Sequence, residues 1–438
     1  MNNLVVTKFG GSSLADSNQF KKVKSIITSD KSRKYIIPSA PGKRNSKDYK
    51  ITDLLYLCHT HVQNGIPFDD VFKLICQRYI EIVNELNVAI DINSYLEKVR
   101  TDIENGASSD YAASRGEYLN GRILAKYLDA EFIDAADIIF FDESGNLNEE
   151  KTYSNIKEKV LKCDKAVIPG FYGSGADGNV KTFSRGGSDV TGSIISAGVA
   201  ADLYENWTDV SGFLMADPRI VENPKTIEKI TYKELRELSY MGATVLHEEA
   251  IFPVRDAGIP INIKNTNKPE DAGTLIVSDT SEATRFGTIT GIAGKKDFTV
   301  IAIEKALLNS EIGFCRRLLS ILEMYGISFE NMPSGVDSVS LVIEDSQLKN
   351  KCSKVIDEIK RQCSPDSIEI HPNMALVATV GRGMAKSTGI ASKIFSALSS
   401  ENVNIRMIDQ GSSEINVTVG VENADFEKAV KGIYKVFN

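Results

Sequence analysis

Residues 182–219, TFSRGGSDVTGSIISAGVAADLYENWTDVSGFLMADPR, restrict the fold more than any other stretch of this chain. A glycine turn with a single arginine (Arg185, Gly186, Gly187, Ser188, Asp189) opens a helix of small residues predicted over 191–201. A strand with an acidic end follows over 203–210. Glycines let backbone N–H groups approach a ligand, the helix N-terminus adds a positive dipole end, and Arg185 supplies a planar fork suited to a carboxylate or phosphate. The loop is built to hold anions, although its pattern alone also fits an ordinary strand–turn–helix connection.

The preceding segments place a lysine at a similar edge. Residues 4–9 are a short apolar run of strand type, after which Gly10, Gly11, Ser12 and Ser13 turn the chain into an amphipathic helix with Phe20, Val23 and Ile27 on one face. In an open α/β sheet, ligands sit outside the carboxyl ends of strands, which sets Lys8 where phosphates bind. The motif is not a P-loop, because the lysine precedes the glycines; the competing reading is a solvated surface lysine. A second strand, 35–38, ends at Ser39. Helical patterns over 51–61, 71–86, 94–103 and 113–128 suggest a lid or side wall. Strand-like runs at 132–133, 138–141, 166–168, 203–207 and 259–264 alternate with helices at 153–161, 191–201, 232–240 and 245–256. Alternation of this kind predicts an α/β fold, a mostly parallel open sheet with helices on both faces. Residues 170–179, with four glycines, read as a hairpin near the same edge.

Beyond about residue 285 the order changes. Strand, helix, strand, strand, helix and strand follow one another from 298 to 371, and the same order recurs from 375 without its last strand. This is a tandem βαββαβ, ferredoxin-like module. The unpaired segment 288–293 is expected to complete the second copy's sheet, with the first copy inserted between them, because an open edge is a liability. The 438 residues exceed a single core, and net charge of −8 argues against nucleic acid or an anionic membrane as partner. No apolar run approaches the roughly 18 to 20 residues of a membrane span, no secretory signal is seen, and six scattered cysteines without a CxxC pair predict buried free thiols in a reducing cytoplasm.

The string SRGGSDVTG with WTDVSGFLMADPR resembles the substrate and nucleotide segments of aspartate kinases, which have the amino-acid kinase fold. KFGGSSLA (8–15), SRGEYLNGRILA (114–125) and MGATVLHEEAIFPV (241–254) resemble the family's other blocks in the family's order, and the tandem modules resemble ACT domains. The resemblance implies a catalytic domain over 1–285 and a regulatory region over 286–438, with ACT modules at about 298–371 and about 372–438, the latter joined by 286–297. It implies ATP-dependent phosphorylation of the side chain of L-aspartate, with ATP and Mg2+ required and no metal held by the protein alone. Lys8 and Asp189 would be catalytic. Ser39, Glu117, Arg185 and Ser188 would bind substrate, Glu117 through the α-ammonium. Gly10, Gly11, Ser12, Thr208, Asp209, Asp217 and Arg219 would line the ATP side. Inhibition by lysine is expected at Gly313, Phe314, Ser328, Phe329 and Glu330, with ACT modules pairing into a homo-oligomer.

Two departures from the family's pattern are Leu214, where a tyrosine is usual, and Thr244, where a lysine is usual; both bear on ATP binding. Competing classes are another acid kinase of the same fold, such as a glutamate 5-kinase, and a non-catalytic amino-acid sensor. The pairing of RGGSD with WTDV speaks against the first and the presence of Lys8 against the second. Only four histidines occur, which suits a reaction that needs no general base, since a carboxyl of pKa about 3.9 is already anionic at neutral pH.

Overall fold

The computed structural model describes residues 3–438 apart from 185, 244–245, 247–249 and 279–287. The chain divides into two compact units. The first comprises 1–213, 226–232 and 245–281, and the second 214–225, 233–244 and 282–438. It therefore does not part at one point near 285, since two short segments from the body of the first unit's sequence group with the C-terminal unit.

In the first unit the strands are β1 (Val5–Phe9), β2 (Arg33–Pro38), β3 (Glu131–Phe132), β4 (Ala166–Val167), β5 (Tyr172–Ser174), β6 (Val180–Thr182), β7 (Leu203–Thr208), β8 (Lys229–Thr231), β9 (Ile261–Asn265) and β10 (Thr274–Val277). β5 and β6 form a separate antiparallel hairpin. The other eight make one sheet in the order β3-β4-β2-β1-β7-β9-β10-β8, parallel at every pairing except β9 with β10. Every residue of β1 is buried, as expected of a central parallel strand covered on both faces.

Helices α1 (Ser17–Thr28), α2 (Ile51–Gln63), α3 (Asp69–Leu86), α4 (Ile92–Glu104) and α5 (Ser109–Leu128) build the side wall expected from the apolar spacing. Asp16, Asp91 and Ser108 cap α1, α4 and α5 by accepting from the N–H three residues on. α6 (Glu149–Asn155) runs on as a wider turn over Ile156–Val160, and α7 (Gly187–Gly198) follows the glycine turn. The strand expected at 138–141 is reduced to single bridges, Phe140 with Ser174 and Phe141 with Leu147. Of the helix expected over 245–256, the C-terminal residues form α9 (Phe252–Asp256); it follows α8 (Tyr232–Tyr240).

The second unit is built on two long strands, β11 (Gly291–Glu304) and β13 (Ser367–Val380), in a five-stranded sheet with β12 (Ser338–Glu344), β14 (Met407–Asp409) and β15 (Asn416–Glu422), ordered β12-β11-β13-β15-β14. The N-terminal half of β11, from Gly291 to Lys295, pairs with the half of β13 that also pairs with β15. Its C-terminal half, from Phe298, lies between β12 and the start of β13. The register shifts between Lys295 and Phe298, and Asp297 and Asn373 both take left-handed backbone there. Helices α10 (Phe314–Met324), α11 (Asp345–Leu348) and α12 (Cys352–Cys363) flank the first half, and α13 (Ile390–Ser400) and α14 (Phe426–Phe437) the second.

The strand expected at 327–332 does not form. Only isolated bridges join Asn331 to Val342 and Ser334 to Val339, with Pro333, which has no N–H, between them. All six cysteines are free thiols, Cys58 and Cys363 buried and the other four half-buried.

Candidate active site

The carboxyl ends of β1, β2 and β7 meet the N-terminus of α7. Parallel pairing sets Lys8 beside Asn206 and Phe9 beside Trp207, so alternation sends Lys8 and Asn206 to one face and the stacked Phe9 and Trp207 rings to the other. Lys8 is buried, and its Nζ lies 2.6 Å from Asp189 Oδ1 and donates to Asn206 Oδ1 at 3.3 Å. Asn206 Nδ2 in turn donates to Asp189 Oδ1 at 2.8 Å. Asp189 stands in the first turn of α7, where the helix dipole favours a carboxylate. A cation, an anion and an amide thus share one small knot at the sheet edge.

Around it the turns are stitched closely. The Gly10 N–H donates to Trp207 O at 2.9 Å, the Ser39 N–H to Phe9 O at 3.0 Å, and the Gly42 N–H to Gly11 O at 2.8 Å. A Cβ on Gly42 would fall 2.6 Å from the Gly11 carbonyl carbon, so these two loops pass each other at a distance only glycine permits. Ser12 is half-buried in the turn after Gly11. Ser188 is buried in the first turn of α7 against Gly170, where a Cβ would lie 2.6 Å from Ser188 Cβ.

Glu117 lies in the middle of α5 and is 5% exposed. Burial, opposed by a hydrogen bond from the Ala40 N–H and by the nearby Arg115, pushes its carboxyl up to about 8. Its Oε2 has no partner among the described residues, nor does Oδ1 of the buried Asn120, whose Nδ2 donates to Ser39 O at 2.6 Å. A buried acid with an unfilled acceptor is unusual unless something fills it.

Arg185 and Thr244 lie outside the described residues. Thr208 and Asp209 are at the end of β7, with the Thr208 hydroxyl donating to Asp209 Oδ1 at 3.2 Å. Asp217 and Arg219 belong to the second unit, where they are bound to each other at 2.6 Å with Arg219 largely exposed, and that bond holds the Asp217 carboxyl below its usual range. Asn206 was not among the residues singled out from the sequence. Its signal was an amide inside an otherwise buried strand. Among the described residues no group of three or more His, Cys, Asp or Glu is arranged to hold a metal ion. No described helix is long and apolar enough to cross a membrane.

In the second unit a cavity of about 750 Å³ is lined by Arg316, Leu319, Ser320 and Glu323 of α10 with Ser328 and Phe329 of the following loop. Gly313 caps α10 in left-handed backbone, whereas Phe314 is only 1% exposed and packs in the module's core. The Glu330 N–H donates to Val342 O at 2.8 Å.

Residues 3–265 match the profile of the amino acid kinase family, and residues 377–437 match that of an ACT domain. The chain is 40% identical to aspartokinase 3 of Bacillus subtilis over 99% of its own length and 98% of that protein's. The crystal structure of Clostridium acetobutylicum aspartate kinase, described as an allosteric enzyme, is 82% identical and superposes with a TM-score of 0.96 over 99% of this chain and 100% of that one. The lysine-sensitive aspartokinase 3 of Escherichia coli is 26% identical over 99% of both chains.

Proposed function

Since the chain belongs to the aspartate kinases of the amino acid kinase family, we propose that the knot of Lys8, Asp189 and Asn206 is where it transfers the γ-phosphoryl group of ATP to the side-chain carboxylate of L-aspartate, giving 4-phospho-L-aspartate. The observation that carries this reading is a buried lysine at the end of a central strand, beside a helix N-terminus. The difficulty of the reaction is the approach of an anion to a polyanion, so catalysis is cancellation of charge with in-line positioning. Lys8 neutralises charge on the transferring group and Asp189 orients Lys8. Gly11 and Ser12 offer backbone N–H groups to phosphate oxygens, Gly10, whose own N–H is taken by Trp207 O, leaves room for the ligand's approach, and Thr208 and Asp209 border the nucleotide from β7, with Asp217 and Arg219 assigned to the same ligand.

Aspartate is assigned to Ser39, Glu117, Arg185 and Ser188. Glu117 takes the α-ammonium on its unfilled Oε2, and Arg185 a carboxylate. Magnesium is assigned to the ATP phosphates rather than to a protein cage, in keeping with the ion's preference for phosphate and water. Residues 1–285 are read as the catalytic region and 286–438 as the regulatory region, in a cytoplasmic homo-oligomer. Purified protein should form aspartyl hydroxamate from aspartate, ATP and hydroxylamine and none from glutamate; equal rates with both acids would overturn the substrate assignment.

The cavity beside α10 supports lysine as inhibitor. Glu323 lines it, as do Ser320 and Ser328, whose hydroxyls are at hand for a carboxylate or ammonium; Glu330 follows the lining Phe329 in sequence but is not itself part of the lining. Inhibition requires that lysine bind an inactive arrangement more tightly by about 1 to 3 kcal/mol, which changes activity some 5- to 150-fold at saturation. Millimolar lysine is expected to inhibit the wild type and to act weakly on Glu330→Ala. Inhibition by threonine with none by lysine would reassign the effector.

A further inference from the structure

The amide of Asn206 is 4% exposed and spends both of its halves on the two charged residues of the site. Its orientation follows from chemistry, because a carboxylate only accepts and an ammonium only donates. The NH2 must face Asp189 and the carbonyl must face Lys8.

Resting on the kinase reading above, we propose that Asn206 is a positioning residue that aims one N–H of Lys8 at the transferring phosphoryl group. An ammonium carries three N–H donors. Asp189 Oδ1, at 2.6 Å from Nζ, engages one, and Asn206 Oδ1 engages a second. With a single anchor the group rotates about that contact; with two, the direction of the third donor is fixed. Gly10 borders the same nitrogen, since a Cβ built there would lie 3.6 Å from Nζ. Asn206 also acts on the anchor itself. By donating to the same Asp189 oxygen, it draws part of that oxygen's hydrogen-bonding capacity away from Lys8, so the ammonium's field is not spent wholly on its counter-ion.

No other side chain of this size does both. Leucine fills the space without a dipole, and aspartate sets a second carboxylate beside Asp189. β1 and β7 place residues 8 and 206 directly across from each other.

The test compares Asn206→Leu and Asn206→Asp with wild type in steady-state kinetics, thermal unfolding and crystal structures. Both variants should lose about 10- to 100-fold in kcat, the order expected of a misaimed catalytic group. KM for aspartate and for ATP should stay within about threefold, because binding is left in place. A purely structural role predicts something else, with activity falling only in proportion to folded protein. The inference is overturned by an Asn206→Leu enzyme that keeps half or more of the wild-type kcat, or by one whose loss lies in KM. The crystal structure of Asn206→Leu is a readout independent of turnover, and there Nζ of Lys8 should leave its present place. If wild-type protein makes no aspartyl hydroxamate, the kinase reading falls. The position of Nζ in that variant still decides whether Asn206 positions Lys8, and an unmoved Nζ would refute that.

Discussion

Glu117 and Lys8 are both buried ionisable residues of the first unit, and their surroundings set opposite expectations for them. Lys8 has its counter-ion in contact, so truncation to methionine removes charge where charge develops; kcat should fall about 100-fold or more while KM for aspartate moves only a few fold. An unchanged kcat with a raised KM would make Lys8 a binding residue. Glu117 has no such neighbour at Oε2, and its carboxyl stands at about 8 against an ordinary 4.5. Between those two values the folded chain holds a proton that the unfolded chain has lost, so this residue makes stability fall as pH rises through that window. The cost, roughly 3 to 5 kcal/mol, is complete above about 8. Glu117→Gln should flatten that part of the stability–pH curve. If Oε2 receives the α-ammonium of aspartate, binding at pH 7 also drives off that proton, up to about one per site. Calorimetry in buffers of different ionisation enthalpy measures it, and the same buffer dependence in Glu117→Gln would detach Glu117 from the ligand. The lysine was legible in the sequence because it ends an apolar run at a glycine turn. The unpaired state of Glu117 was not, since it depends on α5 being buried nearly all round, from Ala112 to Ala125, which no single face of its pattern announces.

At the scale of elements, α7 and β7 fit because small residues line their contact. A Cβ on Gly192 would fall 2.3 Å from the hydroxyl oxygen of Tyr204, whose ring is fully buried and whose hydroxyl donates to Asp189 O at 3.3 Å. Gly192→Ala should therefore cost about 1 to 3 kcal/mol of stability through overpacking, although alanine is the better helix former by about 1 kcal/mol in an open helix. Chemical denaturation reads the sign directly, and a stabilised variant would mean that Tyr204 has room to withdraw. Activity should fall as well, because the displaced tyrosine bears on the Asp189 carbonyl. The small residues of 191–201 were visible in the sequence as a helix of small residues. What they approach was not, because Tyr204 reads as one more residue of an apolar strand. The same limit explains the strand expected at 327–332. Its β-type residues are present, but Pro333 interrupts the ladder and only Asn331 and Ser334 bridge to β12.

In the whole molecule, the change of pattern near 285 was read as the boundary, yet residues 214–225 and 233–244 group with the C-terminal unit. Ala216 and Val221 are buried in the core around β13, β15 and α14, and the Ile292 N–H donates to Met215 O at 2.7 Å. Glu234 accepts from the Arg382 N–H at 2.9 Å and from the Thr290 hydroxyl at 2.6 Å. Apolar periodicity shows that a segment is buried, but not in which core. The second unit carries a further consequence. β11 and β13 each run through both of its halves, one core holding Ile301, Leu318 and Ile359 and the other Ile292, Val377 and Val419. Two separate modules would unfold separately, whereas two cores threaded by the same pair of strands should open as one. Leu318→Ala removes a fully buried side chain from the first core at a cost of about 2 to 5 kcal/mol. Native-state hydrogen exchange should then show protection falling by similar amounts in β12, beside the lesion, and in β15, which touches only the other core. The register shift at Lys295–Phe298 and the left-handed Asp297 are where coupling would fail. If β12 loses protection while β15 keeps its wild-type rates, the strands bend there as a hinge and the two halves are stable independently. In that case a ligand seated beside α10 would have to act through something other than the continuity of the sheet.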